Sequence, residues 1–346
     1  MEKIRAGLVG YGLSGQAFHA PFLHSSSQID FVKVVERHSK KAEERYPYVE
    51  SVRSLDELLS DESIELVVIT TPNEQHFPMI KQVLEAGKHA VAEKPFTVHS
   101  EEGHELARLA KKKNLVLSVY QNRRWDGDFL TIQELIQSGA IGDVVSYEAH
   151  FDRFRNFAKE NWREQDRPGS GILYDLGSHL IDQAVVLFGM PKAITAEIRN
   201  ERKVTNTDDA FDIRLHYDQL TATLKASMLV KEQGPHFQIH GTKGSFIKYG
   251  MDPQENALRA GSLPSDPGFG EDSEGNWGLL NSEVGRLQYR GKVQTLKGSY
   301  QSFYENICQA IKDSRDPAVT AEQAAQTIKL IELARQSSLD GRTIEI

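Results

Sequence analysis

Residues 4–15, IRAGLVGYGLSG, decide the fold of this chain. Residues 4–10 predict a buried strand and residues 14–24 predict a helix. Between them lies a GxGxxG pattern, in which the first glycine permits a tight turn and the third lets helix and strand pack closely. The second glycine lets a pyrophosphate approach the backbone, and amides at the helix start bind its oxygens. The stretch therefore predicts a dinucleotide-binding unit.

Helices and nearly continuous apolar strands alternate along the first third of the chain. Further strands are predicted at 30–36, 64–71, 89–94 and 115–121, with helices at 39–45, 55–60, 75–86 and 100–113. This alternation is typical of a parallel, doubly wound sheet. We therefore predict an α/β protein with an N-terminal Rossmann domain over residues 1–122.

The pattern changes after residue 122. A predicted helix at 129–138 precedes strand-like runs at 143–154, 192–201, 208–217, 221–230 and 236–249. Their hairpin-length gaps predict a large, mainly antiparallel sheet within an α+β domain at 123–346. A half-exposed face of such a sheet often becomes an oligomer interface, so we expect this domain to mediate oligomerisation. Residues 251–297 are rich in Gly, Pro, Ser, Asp and Glu and predict a long loop, before helices at 299–313 and 320–338.

Composition and charge limit the possible functions. The 346 residues suffice for two domains, and a hydrophobic content of 39% is ordinary for a globular protein. A net charge of −8 provides no basic field, which argues against nucleic acid as a partner. The single cysteine, Cys308, cannot form an internal disulfide. With no long apolar run and no signal-peptide pattern at the N-terminus, we expect a cytoplasmic protein with no membrane partner.

A lysine closes the predicted strand HAVAEK at 89–94, directly before Pro95. Proline disfavours helical backbone for the residue before it, so we expect Lys94 to be extended at the strand's carboxyl end, where open α/β sheets bind ligands. A lysine at that point can stabilise negative charge on a substrate oxygen. A solvated lysine that merely closes a strand is the alternative.

Two opposing signals concern the dinucleotide. Glu36 ends the second strand, twenty-one positions after Gly15, which is the spacing of an acid that binds the ribose hydroxyls of NAD. Arg37 and the three further basic residues that follow it could instead hold the additional phosphate of NADP. These basic residues could equally form the solvated face of a helix.

A further group of residues follows the predicted strand at 64–71. Thr71, Pro72, Asn73 and His76 lie near the edge of the sheet where a nicotinamide ring is expected. His76 could face the ligand, or it could be a histidine at a helix start with no chemical role.

Chemistry for proton transfer is predicted in a helix after Gly171. Asp175 and His179 are four positions apart, so they lie on one face of this helix. Histidine as a residue type titrates near neutral pH, and a neighbouring carboxylate can orient it for proton transfer. An ordinary contact on a helix surface is the alternative, but the dinucleotide motif and Lys94 favour the catalytic interpretation.

Metal and hydrolase chemistry are less well supported. His179 with Asp175 and Asp182 could ligate a metal, but catalytic zinc usually requires three convergent protein ligands, and no cysteine lies nearby. Ser178 adjoins His179, and the chain has no GxSxG elbow. We therefore predict that no metal is bound.

Three motifs occur in the order found in one known family. GYGLSG, Glu93-Lys94-Pro95 and Gly171-xxx-Asp175-xxx-His179 together resemble the glucose-fructose oxidoreductase, inositol dehydrogenase and MocA (Gfo/Idh/MocA) family over essentially the whole chain. SVYQNRRWDGDFLTI, WRE, YDLGSHLIDQ and FIKYGMDPQE are most similar to the branch that contains NADP-dependent scyllo-inositol dehydrogenases. The resemblance implies an NAD(P)-dependent oxidoreductase that transfers a hydride between a nicotinamide and a hydroxyl or keto carbon of a cyclic polyol or sugar, with scyllo-inositol and scyllo-inosose favoured.

The resemblance also implies roles for particular residues. Lys94 corresponds to the lysine at the substrate oxygen and nicotinamide, Asp175 to a carboxylate that positions substrate, and His179 to the general acid/base. The resemblance implies that the domain at 123–346 has an open sheet and binds substrate. It also implies cofactor contacts from Gly10, Tyr11, Gly12, Gly15, Thr71, Pro72, Asn73, His76, Glu93 and Lys94. We predict further cofactor contacts from Leu13, Ser14, Glu36, Arg37 and Asn122. Polarity and location make four residues candidate substrate contacts: Arg153, Trp162, Arg163 and Tyr174. Because Glu36 stands where NADP-preferring relatives tend to have a small residue, the choice between NADP and NAD stays open.

Two other functions remain open. One is a dinucleotide-binding sensor or regulator that keeps the fold without the reaction, and the other is a dehydrogenase of another sugar or diol. The presence of Lys94, Asp175 and His179 argues against the sensor. We expect a small-molecule polyol or sugar as substrate, and a homodimer or homotetramer that forms through the C-terminal sheet.

Overall fold

The computed structural model describes residues 3–346, and the chain divides into two compact units. The first comprises Met1–Asn122, Gln254–Phe269 and Ser299–Gln326. The second comprises Arg123–Pro253, Gly270–Gly298 and Thr327–Ile346. Each unit contains one β-sheet.

The first unit is built on six parallel strands. They are β1 (Ile4–Val9), β2 (Ile29–Val35), β3 (Glu50–Val52), β4 (Leu66–Ile69), β5 (His89–Ala92) and β6 (Leu117–Val119). Their order in the sheet is β3-β2-β1-β4-β5-β6, and every neighbouring pair is parallel. All four residues of β4 are buried, as expected for a strand covered on both faces. The order reverses between β1 and β4, which is where doubly wound sheets bind ligands.

The second unit contains a nine-stranded sheet. Its strands are β7 (Val144–His150), β8 (Ala193–Arg199), β9 (Ala210–His216), β10 (Thr221–Ser227), β11 (Phe237–Gly241), β12 (Gly244–Lys248), β13 (Gly278–Val284), β14 (Leu287–Val293) and β15 (Ile344–Glu345). The order is β14-β13-β12-β11-β7-β10-β9-β8-β15. Only the pairing of β7 with β10 is parallel. Burial alternates along β10, so one face of the sheet carries the core. The predicted fold class is confirmed.

Ten α-helices accompany the sheets of residues 3–346. They are α1 (Ala20–Ser25), α2 (Lys41–Arg45), α3 (Leu55–Leu59), α4 (His76–Glu85), α5 (Ser100–Lys112), α6 (Gly127–Gln137), α7 (Ser178–Phe188), α8 (Gln254–Arg259), α9 (Gln301–Asp313) and α10 (Ala321–Asp340). Two of them begin with a π-helical turn, Gly15–His19 before α1 and Leu173–Gly177 before α7. Within the described residues, no helix has the length and apolar character needed to cross a membrane.

The prediction of one long loop at 251–297 is wrong. The segment contains α8 and the hairpin of β13 and β14, which pair from Gly278 with Val293 to Val284 with Leu287. The two residues at the turn are Gly285 and Arg286, and Gly285 has φ +64°, as such tight hairpins require. The Gly- and Pro-rich sequence before the hairpin concealed this signal.

Candidate active site

The glycine loop between β1 and α1 has the geometry that its motif predicts. Gly10 has φ +95°, a conformation that side-chain-bearing residues rarely adopt. A Cβ on Gly15 would lie 2.4 Å from the Gly10 carbonyl oxygen, so only glycine permits this close approach. A Cβ on Gly12 would meet no atom within 4 Å, so the backbone there is open to a ligand. The loop therefore fits the pyrophosphate of a dinucleotide.

The other residues of the loop differ in their exposure. Tyr11 is buried, and burial, the largest contribution, raises the pKa of its hydroxyl to about 12. Leu13 is exposed, and Ser14 is half-buried. The Thr70 hydroxyl, directly after β4, lies 3.0 Å from the carbonyl oxygens of both Val9 and Gly10. This contact holds the two strand ends together at the point where the sheet order reverses.

Glu93 follows β5 directly and lies at the centre of a largely buried group of polar residues. We call this group the Glu93 cluster: Ser14, His19, Glu93, Lys94 and Tyr304. Its Oε1 accepts a hydrogen bond from the Ser14 hydroxyl and lies 3.0 Å from His19 Nε2. Its Oε2 accepts the backbone amide of Lys94 at 2.9 Å. One carboxylate therefore joins the glycine loop to the residue predicted to be catalytic.

The Glu93 carboxylate is ionised within this group. Burial alone would raise its pKa, but the hydrogen bond and charge of His19, with Lys94 and Ser14, outweigh burial and lower the pKa to about 2. A buried charge is tolerated only when it is paired and hydrogen-bonded, and the three donors around Glu93 meet that condition. Lys94 itself is half-buried.

Sequence reasoning missed His19 and Tyr304. His19 lies in the π-helical turn that follows the glycine loop, its side chain is fully buried, and its Nδ1 lies 2.5 Å from the Tyr304 hydroxyl. Because His19 precedes Glu93 by 74 positions, no spacing rule could have paired them. The one available signal was a histidine among the apolar residues of Ala17–Leu23.

The residues after β4 are placed around a buried histidine. His76 Nε2 lies 2.9 Å from the Thr71 carbonyl oxygen, and its Nδ1 lies 3.0 Å from those of Pro95 and Phe96. Burial lowers the pKa of His76, which favours the neutral imidazole. Asn73 is also buried, whereas Thr71 and Pro72 are half-buried. Carbonyl oxygens only accept hydrogen bonds, so the single N–H of a neutral His76 donates either to Thr71 or to the Pro95 and Phe96 side.

Glu36, at the end of β2, is buried and accepts four hydrogen bonds. Its Oε1 accepts the hydroxyl of Ser39 at 2.6 Å and the amide of Lys41 at 3.1 Å. Its Oε2 accepts the amide of Ala42 at 2.9 Å and the hydroxyl of Ser51 at 3.3 Å. The carboxylate therefore organises the connection from β2 to α2. The next residue, Arg37, is exposed.

In the second unit, Asp175 and His179 are presented by a π-helical turn and by α7. Asp175 lies in the turn and is half-buried, while His179 is the second residue of α7 and is buried. The turn begins beside Gly171, which has φ +88° and whose Cβ would lie 2.3 Å from Asp208 Oδ1. Asp208 accepts the amide of Leu173 at 2.8 Å, so glycine lets this carboxylate hold the start of the turn.

The predicted substrate residues are placed in two different ways. Arg163 forms an ion pair with Asp175, with 3.2 Å between Nε and Oδ1, and stacks over the Trp162 ring at 4.8 Å. The structure therefore brings Trp162, Arg163 and Asp175 together. Tyr174 is buried beneath the Arg335 guanidinium, and the half-buried Arg153 packs over the Phe151 ring.

Two further arginines that the sequence did not single out hold this region. Arg124 binds Asp182, three residues beyond His179, through two hydrogen bonds of 2.7 Å. Arg202 binds Asp209 at 2.7 Å and Glu164 at 3.2 Å. Arg124 thus fixes α7, and Arg202 fixes the segment that carries Arg163. The Arg124–Asp182 pair is bidentate, which combines strength with a defined geometry.

Asn122 is buried at the start of a 3₁₀ turn, Asn122–Trp125. Throughout residues 3–346, no group of three His, Cys, Asp or Glu side chains is arranged to hold a metal ion. Asp182, one of the conceivable ligands, is instead bound by Arg124.

A doubly wound sheet with an open glycine loop at its reversal point, and with a lysine beyond a neighbouring strand, is the architecture of a nicotinamide-dependent oxidoreductase. Two family models match the chain: an oxidoreductase family NAD-binding Rossmann fold over residues 4–121, and the C-terminal alpha/beta domain of the same family over 133–346. The protein belongs to the Gfo/Idh/MocA family of oxidoreductases.

Individual relatives agree with this assignment over nearly the whole chain. The scyllo-inositol 2-dehydrogenase (NADP(+)) IolW of Bacillus subtilis is 42% identical over 99% of this chain and 96% of its own length. The crystal structure of the putative oxidoreductase yvaA from Bacillus subtilis has a TM-score of 0.96 at 41% identity, covering 100% of this chain and 99% of that one. A putative oxidoreductase from Bacteroides fragilis has a TM-score of 0.93 at 43% identity, with both chains fully covered.

Proposed function

We propose that this oxidoreductase is an NADP-dependent dehydrogenase of a cyclic polyol, with scyllo-inositol and scyllo-inosose as the favoured pair. The similarity to a scyllo-inositol 2-dehydrogenase along almost the entire chain supports the substrate class. The polar residues around Asp175 suit a substrate with many hydroxyl groups, because carboxylates accept and guanidinium groups donate hydrogen bonds.

The observation that carries the choice of cofactor is the environment of Glu36. An acid that binds ribose hydroxyls must direct carboxylate oxygens to the ligand, yet both oxygens of Glu36 accept hydrogen bonds within the connection from β2 to α2. Arg37, which follows, is exposed and can bind a phosphate. This arrangement supports NADP.

The proposed chemistry divides between the two candidate catalytic residues. His179 accepts the proton of the substrate hydroxyl, and the Lys94 ammonium group stabilises the alkoxide charge that develops on the oxygen. The dinucleotide, when bound, supplies the acceptor for the hydride that leaves the same carbon. In the reverse direction, His179 returns the proton to the carbonyl oxygen.

The remaining residues bind and orient. Asp175 positions the polyol, and its carboxylate forms an ion pair with the Arg163 guanidinium beside it. The backbone around Gly12 accommodates the pyrophosphate, and Ser14 and Glu93 hold the glycine loop against the Lys94 backbone. The buried His76 ring lies between the segment after β4 and the segment after Lys94.

A spectrophotometric assay tests the proposal. NADP and NAD are offered separately, with scyllo-inositol, myo-inositol, glucose and xylose as electron donors, and reduction of the nicotinamide is followed by absorbance. We expect scyllo-inositol to give the highest kcat/KM, and NADP to be used in preference to NAD. Preferred oxidation of glucose or xylose would overturn the substrate assignment, and binding of a dinucleotide without turnover of any polyol would favour a sensor.

We also propose that the protein forms a homodimer or homotetramer through the large sheet of the second unit. Residues on one face of β10 are buried, whereas the alternate residues are half-buried or exposed, so this second face is available to another copy. Light scattering coupled to size exclusion should show a dimer or tetramer. Thr223→Glu, which introduces a charge on that face, should shift the protein towards monomer.

A further inference from the structure

We propose that His19 is a positioning residue that holds the Glu93 carboxylate in the orientation that joins the glycine loop to Lys94. The inference rests on the proposed function, in which the glycine loop binds the dinucleotide and Lys94 acts on the substrate. The buried partners of Glu93, His19 and Tyr304, take no part in the proposed reaction.

Proton accounting requires His19 to donate to Glu93. An ionised carboxylate can only accept hydrogen bonds, so Nε2 of His19, 3.0 Å from Oε1, must carry a proton. Burial raises the pKa of the Tyr304 hydroxyl well above its usual value, so this group keeps its proton. The hydroxyl can donate to Nδ1 of a neutral imidazole or accept from an imidazolium. Tyr304 therefore supports a donating Nε2 in either state.

Packing fixes the orientation of the His19 ring. The side chain is fully buried, and its ring lies 4.4 Å from that of Tyr120 and 6.2 Å from that of Tyr304, measured between ring centroids. His19 also belongs to the π-helical turn that starts at Gly15. Because the turn follows the glycine loop directly, the position of His19 is coupled to that of the loop through the backbone.

Removing this donor has a definite chemical consequence. Ser14 and the Lys94 amide would remain, but a buried carboxylate that loses a principal partner is stabilised by taking up a proton. A protonated Glu93 is neutral and has a hydroxyl that donates, so its hydrogen bond with Ser14 must reverse direction or be lost. The common anchor of the glycine loop and the Lys94 backbone would then be weaker, because hydrogen bonds to a neutral acid are weaker than those to a carboxylate.

The test compares His19→Leu, which removes the donor, with His19→Gln, which keeps one. His104→Leu is the matched control, since His104 also pairs with a glutamate in the first unit, Glu322, at 2.9 Å. NADP is titrated into each protein by calorimetry from pH 5 to pH 8, and kcat and KM for scyllo-inositol are measured alongside. Melting temperatures confirm that each variant is folded.

We expect His19→Leu to bind NADP roughly ten- to a hundredfold more weakly than wild type at low pH. Relative to wild type, its affinity should rise with pH, because Glu93 ionises within this range once its donor is lost. His19→Gln should recover most of the affinity, and His104→Leu should match wild type. The double variant His19→Leu/Glu93→Gln should show no such pH dependence.

Two results would overturn the inference: NADP affinity of His19→Leu within twofold of wild type across the range, or a pH dependence that persists in the double variant. If His19→Leu does not fold, Tyr304→Phe is used in its place. We expect Tyr304→Phe to bind NADP severalfold more weakly than wild type. Unchanged NADP binding by Tyr304→Phe would contradict the inference. Because the readout is dinucleotide affinity, a wild-type protein that binds NADP but oxidises no polyol would contradict the proposed function and leave this test intact.

Discussion

The Glu93 cluster of the first unit and the Arg163–Asp175 pair of the second unit hold carboxylates in contrasting ways. The side chains of His19 and Glu93 are 0% and 11% exposed, whereas those of Arg163 and Asp175 are 38% and 23% exposed. A buried pair has few alternative positions, while an exposed pair is screened by solvent and can exchange partners. The contrast suits the proposed roles of the two regions, a fixed site for the dinucleotide and an adaptable site for the polyol that we propose as substrate.

Glu36 extends this contrast within the first unit. Like Glu93, it accepts hydrogen bonds from nearby backbone amides and hydroxyl groups. Both acids therefore shape the backbone that is proposed to bind the dinucleotide. We propose that Arg37 and the open backbone at Gly12 contact the dinucleotide directly instead.

The largest expected effect belongs to Lys94. Lys94→Ala removes the ammonium group but leaves the backbone amide that Glu93 binds, so the Glu93 cluster should keep its structure. We expect kcat for scyllo-inositol oxidation to fall by about two to four orders of magnitude, with the dissociation constant for NADP changed only severalfold. The control is Lys81→Ala, which removes an exposed ion pair with Glu105. Turnover near the wild-type level in Lys94→Ala would remove this residue from the mechanism.

The second-largest effect on turnover is expected for His179. His179→Asn removes the group that accepts the proton, and general acid–base catalysis contributes about two to four orders of magnitude. The loss should appear in kcat, with NADP affinity preserved, because His179 belongs to the second unit. A variant that keeps the wild-type rate and pH profile would show that another group transfers the proton.

A smaller and more selective effect is expected for Asp175. Asp175→Asn keeps the shape of the side chain but removes the charge that pairs with Arg163, so KM for the polyol should rise about tenfold while NADP affinity stays constant. Asp218→Asn, at an exposed ion pair with Lys192, is the control. If NADP affinity fell as much as polyol affinity, the proposal that Asp175 contacts the polyol and not the dinucleotide would be wrong.

The smallest effect concerns stability and separates two buried acids. The pKa of Glu93 is lowered to about 2, so its contribution to stability is present above its ordinary value of 4.5 and is lost as pH falls through 2. Burial, followed by the nearby charge of Asp252, raises the pKa of Asp128 to about 7, so its contribution is lost as pH rises from its ordinary value of 3.8 through 7.

Melting temperatures as a function of pH check these opposite signs. Glu93→Gln should flatten the curve between pH 4.5 and 2, and Asp128→Asn should flatten it between pH 3.8 and 7. Each change amounts to about a few degrees. A steeper loss in Asp128→Asn as pH rises would show that this acid is ionised in the folded protein at low pH.

How much could be predicted from the sequence also differs between the two regions. The glycine loop and the strand end at Lys94 are contiguous motifs whose physical requirements are local, and the structure shows the turn and close approach expected for Gly10 and Gly15. The partners of the second unit are far apart along the chain, with 58 positions between Arg124 and Asp182 and 38 between Arg202 and Glu164. No local pattern encodes such pairs, so they emerge only from the fold.

The same limit applied to Glu36 and His19. Spacing alone left the choice between NAD, bound through Glu36, and NADP, bound through Arg37, because it does not specify where a carboxylate points. The sequence did not reveal a role for His19 because its partner, Glu93, lies 74 positions later in the chain, directly after β5. A buried polar side chain acquires meaning only when its partners are known.

The measurement that tests the central claim most directly is the ratio of the dissociation constants for NADP and NAD in wild type and in Glu36→Gln. If Glu36 organises the backbone and Arg37 contacts the ligand, wild type should bind NADP at least about tenfold more tightly than NAD. Glu36→Gln should then weaken both cofactors and leave the ratio unchanged. Tighter binding of NAD by wild type, together with a shift towards NADP in Glu36→Gln, would contradict the account and make Glu36 the ribose ligand.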